Sequence, residues 1–205
     1  MDAKKKTLGA AERDERARAQ FRERVTGRGA CDFVVVDECG SNVNLTPRYA
    51  RAPRDERAHG SVPRNTEPNT TLIASLSLAG MGPAMTLSGA TDTAAFLAYV
   101  GRVLAPSLTP GKAVVMDNLS AHKDQRVRDL IEGRDCELWY LPGYSPDLSP
   151  IEEAFSKLKG LLRRAEARTR EALEGAIAEA IEAISTSDAR GYFTHCGYST
   201  KHQPL

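Results

Sequence analysis

Residues 33–36 are an unbroken apolar run, Phe33 to Val36, too short for a helix and rich enough in β-branched side chains to predict a buried strand. The run closes at Asp37, where the strand is expected to end. The segment NVNLTP reads as a second strand leading into a loop dense in arginine and proline. In NTTLIASLSLAG, Leu72, Ala74, Leu76 and Leu78 alternate with small or polar neighbours, the pattern of a strand with one buried face. After a glycine turn at 80–83, AMTLSG predicts a further strand and completes an antiparallel meander of three.

The period then changes. TDTAAFLAYVGRVLAPSL opens with Thr91 or Asp92 as N-cap and sets Phe96, Val100, Val103 and Leu104 on one helical face. A second four-residue apolar run, Ala113 to Met116, closes at Asp117 as the first closes at Asp37. A short helix with Val127, Leu130 and Ile131 and a strand in CELWYL follow, so the order to this point is β-β-β-α-β-α-β. The stretch LPGYSPDLSPIEEAF halts the chain with three prolines and a glycine, then restarts it as a helix in which Ile151, Phe155, Leu158 and Leu162 are spaced four, three and four apart. A last helix carries Leu173, Ile177, Ile181 and Ile184.

Composition sets the class. A chain of 205 residues with 41% apolar and 27% charged side chains suits one folded domain. Residues 1–30 are read as a charged N-terminal arm, with Phe21 and Val25 able to anchor a surface helix, and 31–205 as the domain proper. No apolar stretch reaches membrane-spanning or signal-peptide length, which makes the cytoplasm the expected location and excludes a membrane partner. Cys31, Cys39, Cys136 and Cys196 stand far apart without a CxxC pair and are read as reduced thiols. The net charge of +1 gives no global signal for nucleic acid, so such contact falls to local clusters. One holds Arg48, Arg51, Arg54, Arg57 and Arg64; the other holds Lys157, Lys159, Arg163, Arg164, Arg168 and Arg170, and either is equally a solvated face.

The candidate chemistry lies in the acids. If the two apolar runs form parallel strands joined by a right-handed crossover, Asp37 and Asp117 meet beyond their carboxyl ends, where open α/β sheets bind ligands. Two carboxylates about 4 Å apart repel by roughly 4 kcal/mol at an effective dielectric near 20, so such a pair holds a proton or a cation. Oxygen ligands select a hard ion such as magnesium, or manganese in its place. Ser149 as N-cap with Pro150 at the first helical position makes Glu152 the third acid. Ser-x-x-Glu is also a capping box, in which Glu152 only bonds the Ser149 backbone.

VVVDECGSN, VVMDNLSAHK and LPGYSPDLSPIEEAFSKLK together resemble the signature blocks of the DDE transposases of bacterial insertion sequences, in the insertion sequence 630 and mariner-like superfamily. Thirty-four residues separate Asp117 from Glu152, the interval of that family, and the likeness extends through RYARAPR, AFLAYV and GYFTHCGY, with KKTLGAAERDE fitting the segment before the first acid. The resemblance implies a ribonuclease H-like fold, a mixed five-stranded sheet of three antiparallel then parallel strands flanked by helices. It implies that Asp37, Asp117 and Glu152 are catalytic and bind two Mg2+ ions, or Mn2+. Glu38, Asn118 and His122 match motif positions and are candidates for supporting or DNA contacts, while Glu153 lies on the helix surface or behind the site. Lys159 and Arg163, seven and eleven residues past Glu152, share nearly its helix face and are candidates for holding phosphates.

The implied activity is metal-dependent cleavage and strand transfer on DNA, at transposon terminal repeats and target DNA, by a protein associated with the nucleoid when active. Two other readings stay open: a ribonuclease H-like nuclease without strand transfer, and a non-catalytic DNA-binding remnant. Family members carry helix-turn-helix modules ahead of the catalytic domain, and about 30 residues precede the first strand here. A separate upstream-encoded helix-turn-helix subunit or a fused frame is therefore expected, and synapsis of two ends suggests a homodimer. Cys39 stands where the family often has Thr, and Ser149 where it usually has Asn.

Overall fold

Five strands form one sheet in the order β3-β2-β1-β4-β5 in the computed structural model, which describes residues 10–64 and 68–200. They are β1 (Phe33–Ser41), β2 (Thr70–Ser77), β3 (Gly80–Ser88), β4 (Ala113–Met116) and β5 (Glu137–Tyr140). The first three pair antiparallel; β4 lies parallel to β1, and β5 parallel to β4. This is the mixed sheet the sequence predicts. Residues 1–9, which carry the KKTLG part of the family likeness, lie outside the described residues.

Side chains alternate between the sheet's two faces, and helices cover both. Val35, Leu72, Ala74, Leu76, Ala113 and Val115 pack toward α4 (Pro150–Ala165), α5 (Arg170–Glu182) and α6 (Thr186–His195). Val36, Ile73, Val114 and Met116 pack toward α2 (Thr93–Tyr99) and α3 (Gln125–Glu132). The strand β4 is buried at all four positions, as a strand covered on both faces must be. In α4 the stripe Ile151, Phe155, Leu158 and Leu162 is fully buried. Among the described residues no helix is long and apolar enough to cross a membrane.

Several expectations are corrected. The first strand does not stop at Asp37 but runs on to Ser41, because β2 continues to pair with it after β4 has ended. NVNLTP is not a strand: Val43 and Leu45 pack partly against the core, but prolines at 47 and 53 and the dense charge leave nothing to pair, and the chain from Arg48 to Ser61 is exposed. The helix expected to run from 93 through 104 changes pitch at Val100 into a π turn, Val100–Leu104, with Ala105 N–H donating to Val100 O. The last predicted helix, that of Leu173, Ile177 and Ile181, is α5, and a further helix absent from the sequence reading follows it, since Ser185 and Asp188 form a capping box that starts α6.

Within the segment read as an arm, α1 (Glu15–Thr26) lies against the domain. Asp14 caps it, and its Phe21 and Val25 join the larger core, Phe21 meeting the Trp139 ring edge-on. All four cysteines are free thiols.

Candidate active site

The β1–β4 register pairs Val36 with Met116, so Asp37 and Asp117 are the next residue on each chain. Both share the parity of Val35 and Val115 and so fall on the face covered by α4. There the hydrogen-bonded ladder between the two strands ends, and the loop from Leu141 to Ser149 returns the chain to α4, whose first turn holds Glu152. Asp37, Asp117 and Glu152 line one open pocket of about 510 Å3, rimmed by Asn118, Leu119 and Tyr144.

Each aspartate is fixed by the backbone: Glu38 N–H donates to Asp37 Oδ1 at 2.7 Å and Leu119 N–H to Asp117 Oδ1 at 3.1 Å. Glu152 is fixed by its helix, but not as a capping box. No side chain caps α4, and Ser149 Oγ is buried without a hydrogen-bond partner. Pro150 at the first helical position and buried Leu148, whose carbonyl accepts from Tyr198 Oη at 3.1 Å, set the direction of the first turn instead. Glu153 points elsewhere, to His195 Nδ1 on α6.

The acids act on one another. Burial foremost, with the charges of Asp117, Glu152 and Glu38 adding to it, pushes the Asp37 carboxyl up to about 7, against the Glu38 N–H that favours its ionised form. His122 is completely buried, stacked on Phe96 at 4.1 Å between ring centroids. Its Nε2 lies 3.1 Å from Glu38 Oε1 and its Nδ1 lies 2.5 Å from Asp117 Oδ1, the second contact out of line for a hydrogen bond. Burial pulls its pKa down, but the two carboxylates more than offset this and hold the imidazolium to about 9. His122 is thus a cation at neutral pH, placed behind the pocket, and Tyr140 Oη donates to its carbonyl.

Among the described residues no three His, Cys, Asp or Glu side chains converge tightly enough to hold one ion as they stand. The three acids ring the pocket. Their chemistry nevertheless suits a hard divalent cation: the donors are carboxylate oxygens, and the burial and added repulsion that together push the Asp37 carboxyl up to about 7 are what such an ion offsets.

Glu152 also borders a second cleft, of about 280 Å3, lined by Arg48, Lys159 and Arg163. The two arginine-rich clusters of the sequence therefore meet here through one member of the first and two of the second. The remainder disperse: Lys157 pairs with Asp188, Arg168 with Glu166 and Arg170 with Glu174. Lys159 and Arg163 have no carboxylate partner among the described residues, although Lys159 lies close enough to the Cys39 thiol to work against the rise that burial imposes on it. All eight candidate residues thus border or adjoin the two clefts, with His122 buried and Glu38 partly buried behind them.

Sequence reasoning missed Asp147 and Tyr144. Asp147 binds α1 from the loop that walls the pocket, and Tyr144, at the rim and 61% exposed, sits in the left-handed backbone region with φ 54°. The signal for Tyr144 was its place between Gly143 and Ser145 in a turn.

A parallel–antiparallel five-stranded sheet flanked by helices, with acids gathered at the end of its central parallel pair, defines a ribonuclease H-like domain. The family model described as DDE superfamily endonuclease matches residues 32–174, and the chain belongs to that family. Among solved structures it is similar to the Mos1 transposase paired-end complex with left transposon end, with TM-score 0.77 and 19% identity over 96% of this chain and 64% of that one. It is similar also to the Mos1 mariner paired end complex with Mn, with TM-score 0.71 and 18% identity over 100% of this chain and 68% of the other. For the catalytic domain of Mos1 mariner transposase the TM-score is 0.64 and the identity 16%, over 89% and 86%. The likeness is one of fold, and the chain spans about 64% of the first of these proteins. No curated protein sequence matches it.

Proposed function

We propose that this chain is the catalytic part of a transposase, cleaving DNA at transposon ends and joining the freed 3′ ends to target DNA. One observation carries the reading: the pocket shared by Asp37, Asp117 and Glu152 abuts, through Glu152, the cleft of Arg48, Lys159 and Arg163. Membership of an endonuclease family and the fold shared with transposases solved on transposon ends support it. The basic cleft suits the phosphate backbone of DNA, leaving the neighbouring acids at the scissile phosphate.

Asp37, Asp117 and Glu152 would hold two Mg2+ ions, or Mn2+ as in the Mos1 complex crystallised with Mn. Such ions supply Lewis-acid stabilisation of charge developing at phosphorus and make an attacking hydroxyl more acidic. The chain's own part is to hold the acids in place through the Glu38 and Leu119 amides, to offset excess negative charge through His122, and to orient the backbone through Lys159 and Arg163.

Asp37→Asn removes one donor while keeping the shape of the side chain. Magnesium-dependent nicking of a terminal-repeat duplex should then fall by about 100-fold or more, the scale of losing a group that stabilises transition-state charge. Nicking at the wild-type rate would refute the assignment. Cleaved but never joined product from the wild-type chain would reduce the function to that of a nuclease.

A further inference from the structure

The wall of the acid pocket is held from behind by α1. Asp147 lies in the loop that lines the pocket through Tyr144, Ser145, Pro146 and Ser149, but it faces the other way. Arg18 reaches it with both terminal nitrogens, Nη1 to Oδ1 at 3.0 Å and Nη2 to Oδ2 at 2.7 Å. Arg13 adds a contact to Oδ1 at 2.5 Å, and Arg22 stands 3.9 Å from Oδ2. Arg18 is only 2% exposed, which is rare for a guanidinium and costly unless it is paired. A forked pair fixes direction as well as distance. Five residues beyond Asp147 is Glu152, with Leu148 buried and Pro150 rigid in between.

We infer that Arg18 is a positioning residue for the active site: through Asp147 it sets the pocket wall and the aim of Glu152, so that displacing α1 loosens the acid triad. The same helix is bolted to β5, where its Arg24 guanidinium covers the Trp139 ring at 3.5 Å, and just past its C-cap Arg28 binds Glu137 at 2.8 Å. With α1 and β5 one body, the Arg18–Asp147 pair is the link from that body to the loop. Residues 129 apart in sequence thereby share one constraint. The inference rests on the proposed metal-dependent function and specifies its dependence on a helix outside the pocket.

The test uses the full chain with Arg18→Met, Arg18→Lys and Asp147→Asn. Calorimetry with Mn2+ alone should show about 10-fold weaker binding in Arg18→Met and Asp147→Asn, the scale for losing a residue that orients a metal ligand, with partial recovery in Arg18→Lys. Amides of residues 141–152 should exchange hydrogen faster while those of β4 keep their protection. Terminal-repeat DNA should bind with unchanged affinity as cleavage slows. If Arg18→Met fails to fold, Asp147→Asn, whose carboxylate is 48% exposed, carries the comparison. Wild-type Mn2+ affinity and wild-type exchange in Asp147→Asn would overturn the inference alone; a wild-type chain that takes up no Mn2+ would overturn the pocket's assignment and the inference with it.

Discussion

His122 is buried between Asp117 and Glu38, so its charge offsets part of the negative potential around the pocket without occupying the pocket itself. Ser149 is the opposite case, a polar group with nothing to do: its hydroxyl is buried, unpartnered and makes no cap. Replacing a working Ser N-cap with Ala costs about 1 kcal/mol, whereas removing a buried hydroxyl that lacks a partner relieves a desolvation penalty. Ser149→Ala should therefore leave the midpoint of chemical denaturation unchanged or raise it. A loss of about 1 kcal/mol would show that the cap forms. The acids Asp37, Asp117 and Glu152 were legible in the sequence because each adjoins a strongly patterned apolar segment. Asp147 and Arg18 were not, because a turn aspartate and an arginine in a charged helix each have many ordinary uses, and only the fold brings them together.

Among the elements, β4 and α4 were read correctly because burial on both faces of a short strand, or along one helical stripe, leaves a clear apolar pattern in the sequence. The extension of β1 past Asp37 left none, since Glu38, Gly40 and Ser41 are held by pairing to β2 and not by their own propensities. The start of α6 was written in Ser185 and Asp188, but its sequence TSDARGYFTH carries too few large apolar residues to reveal a helix by periodicity. The attachment of α1 has a measurable acid dependence. Hydrogen bonds from Arg18, foremost, and the arginine charges hold the Asp147 carboxyl below its usual range, against partial burial. The unfolded chain thus binds this proton at higher pH than the folded one, so the stability it contributes is complete above about pH 4 and is lost as pH falls through the folded value. The gap in stability between wild type and Asp147→Asn should be widest near neutrality and close in acid; a gap constant to pH 2 would contradict the pairing.

Across the whole molecule, charge is sorted more finely than a net value of +1 conveys. Negative groups collect in one cleft and Arg48, Lys159 and Arg163 in the next, with Glu152 as their common wall. Each phosphate contact contributes about 0.9 to the slope of log affinity against log salt concentration. Lys159→Gln with Arg163→Gln should therefore weaken duplex binding and flatten that slope by about 2, whereas an unaltered slope would return both residues to a solvated face.

Trp139 is the chain's single tryptophan, and it lies under the Arg24 guanidinium with Phe21 and Phe33 at its edges. Because two of those three neighbours belong to α1, the protein carries an intrinsic optical reporter of that helix's seating. Indole emission can follow its release in real time, without any attached dye.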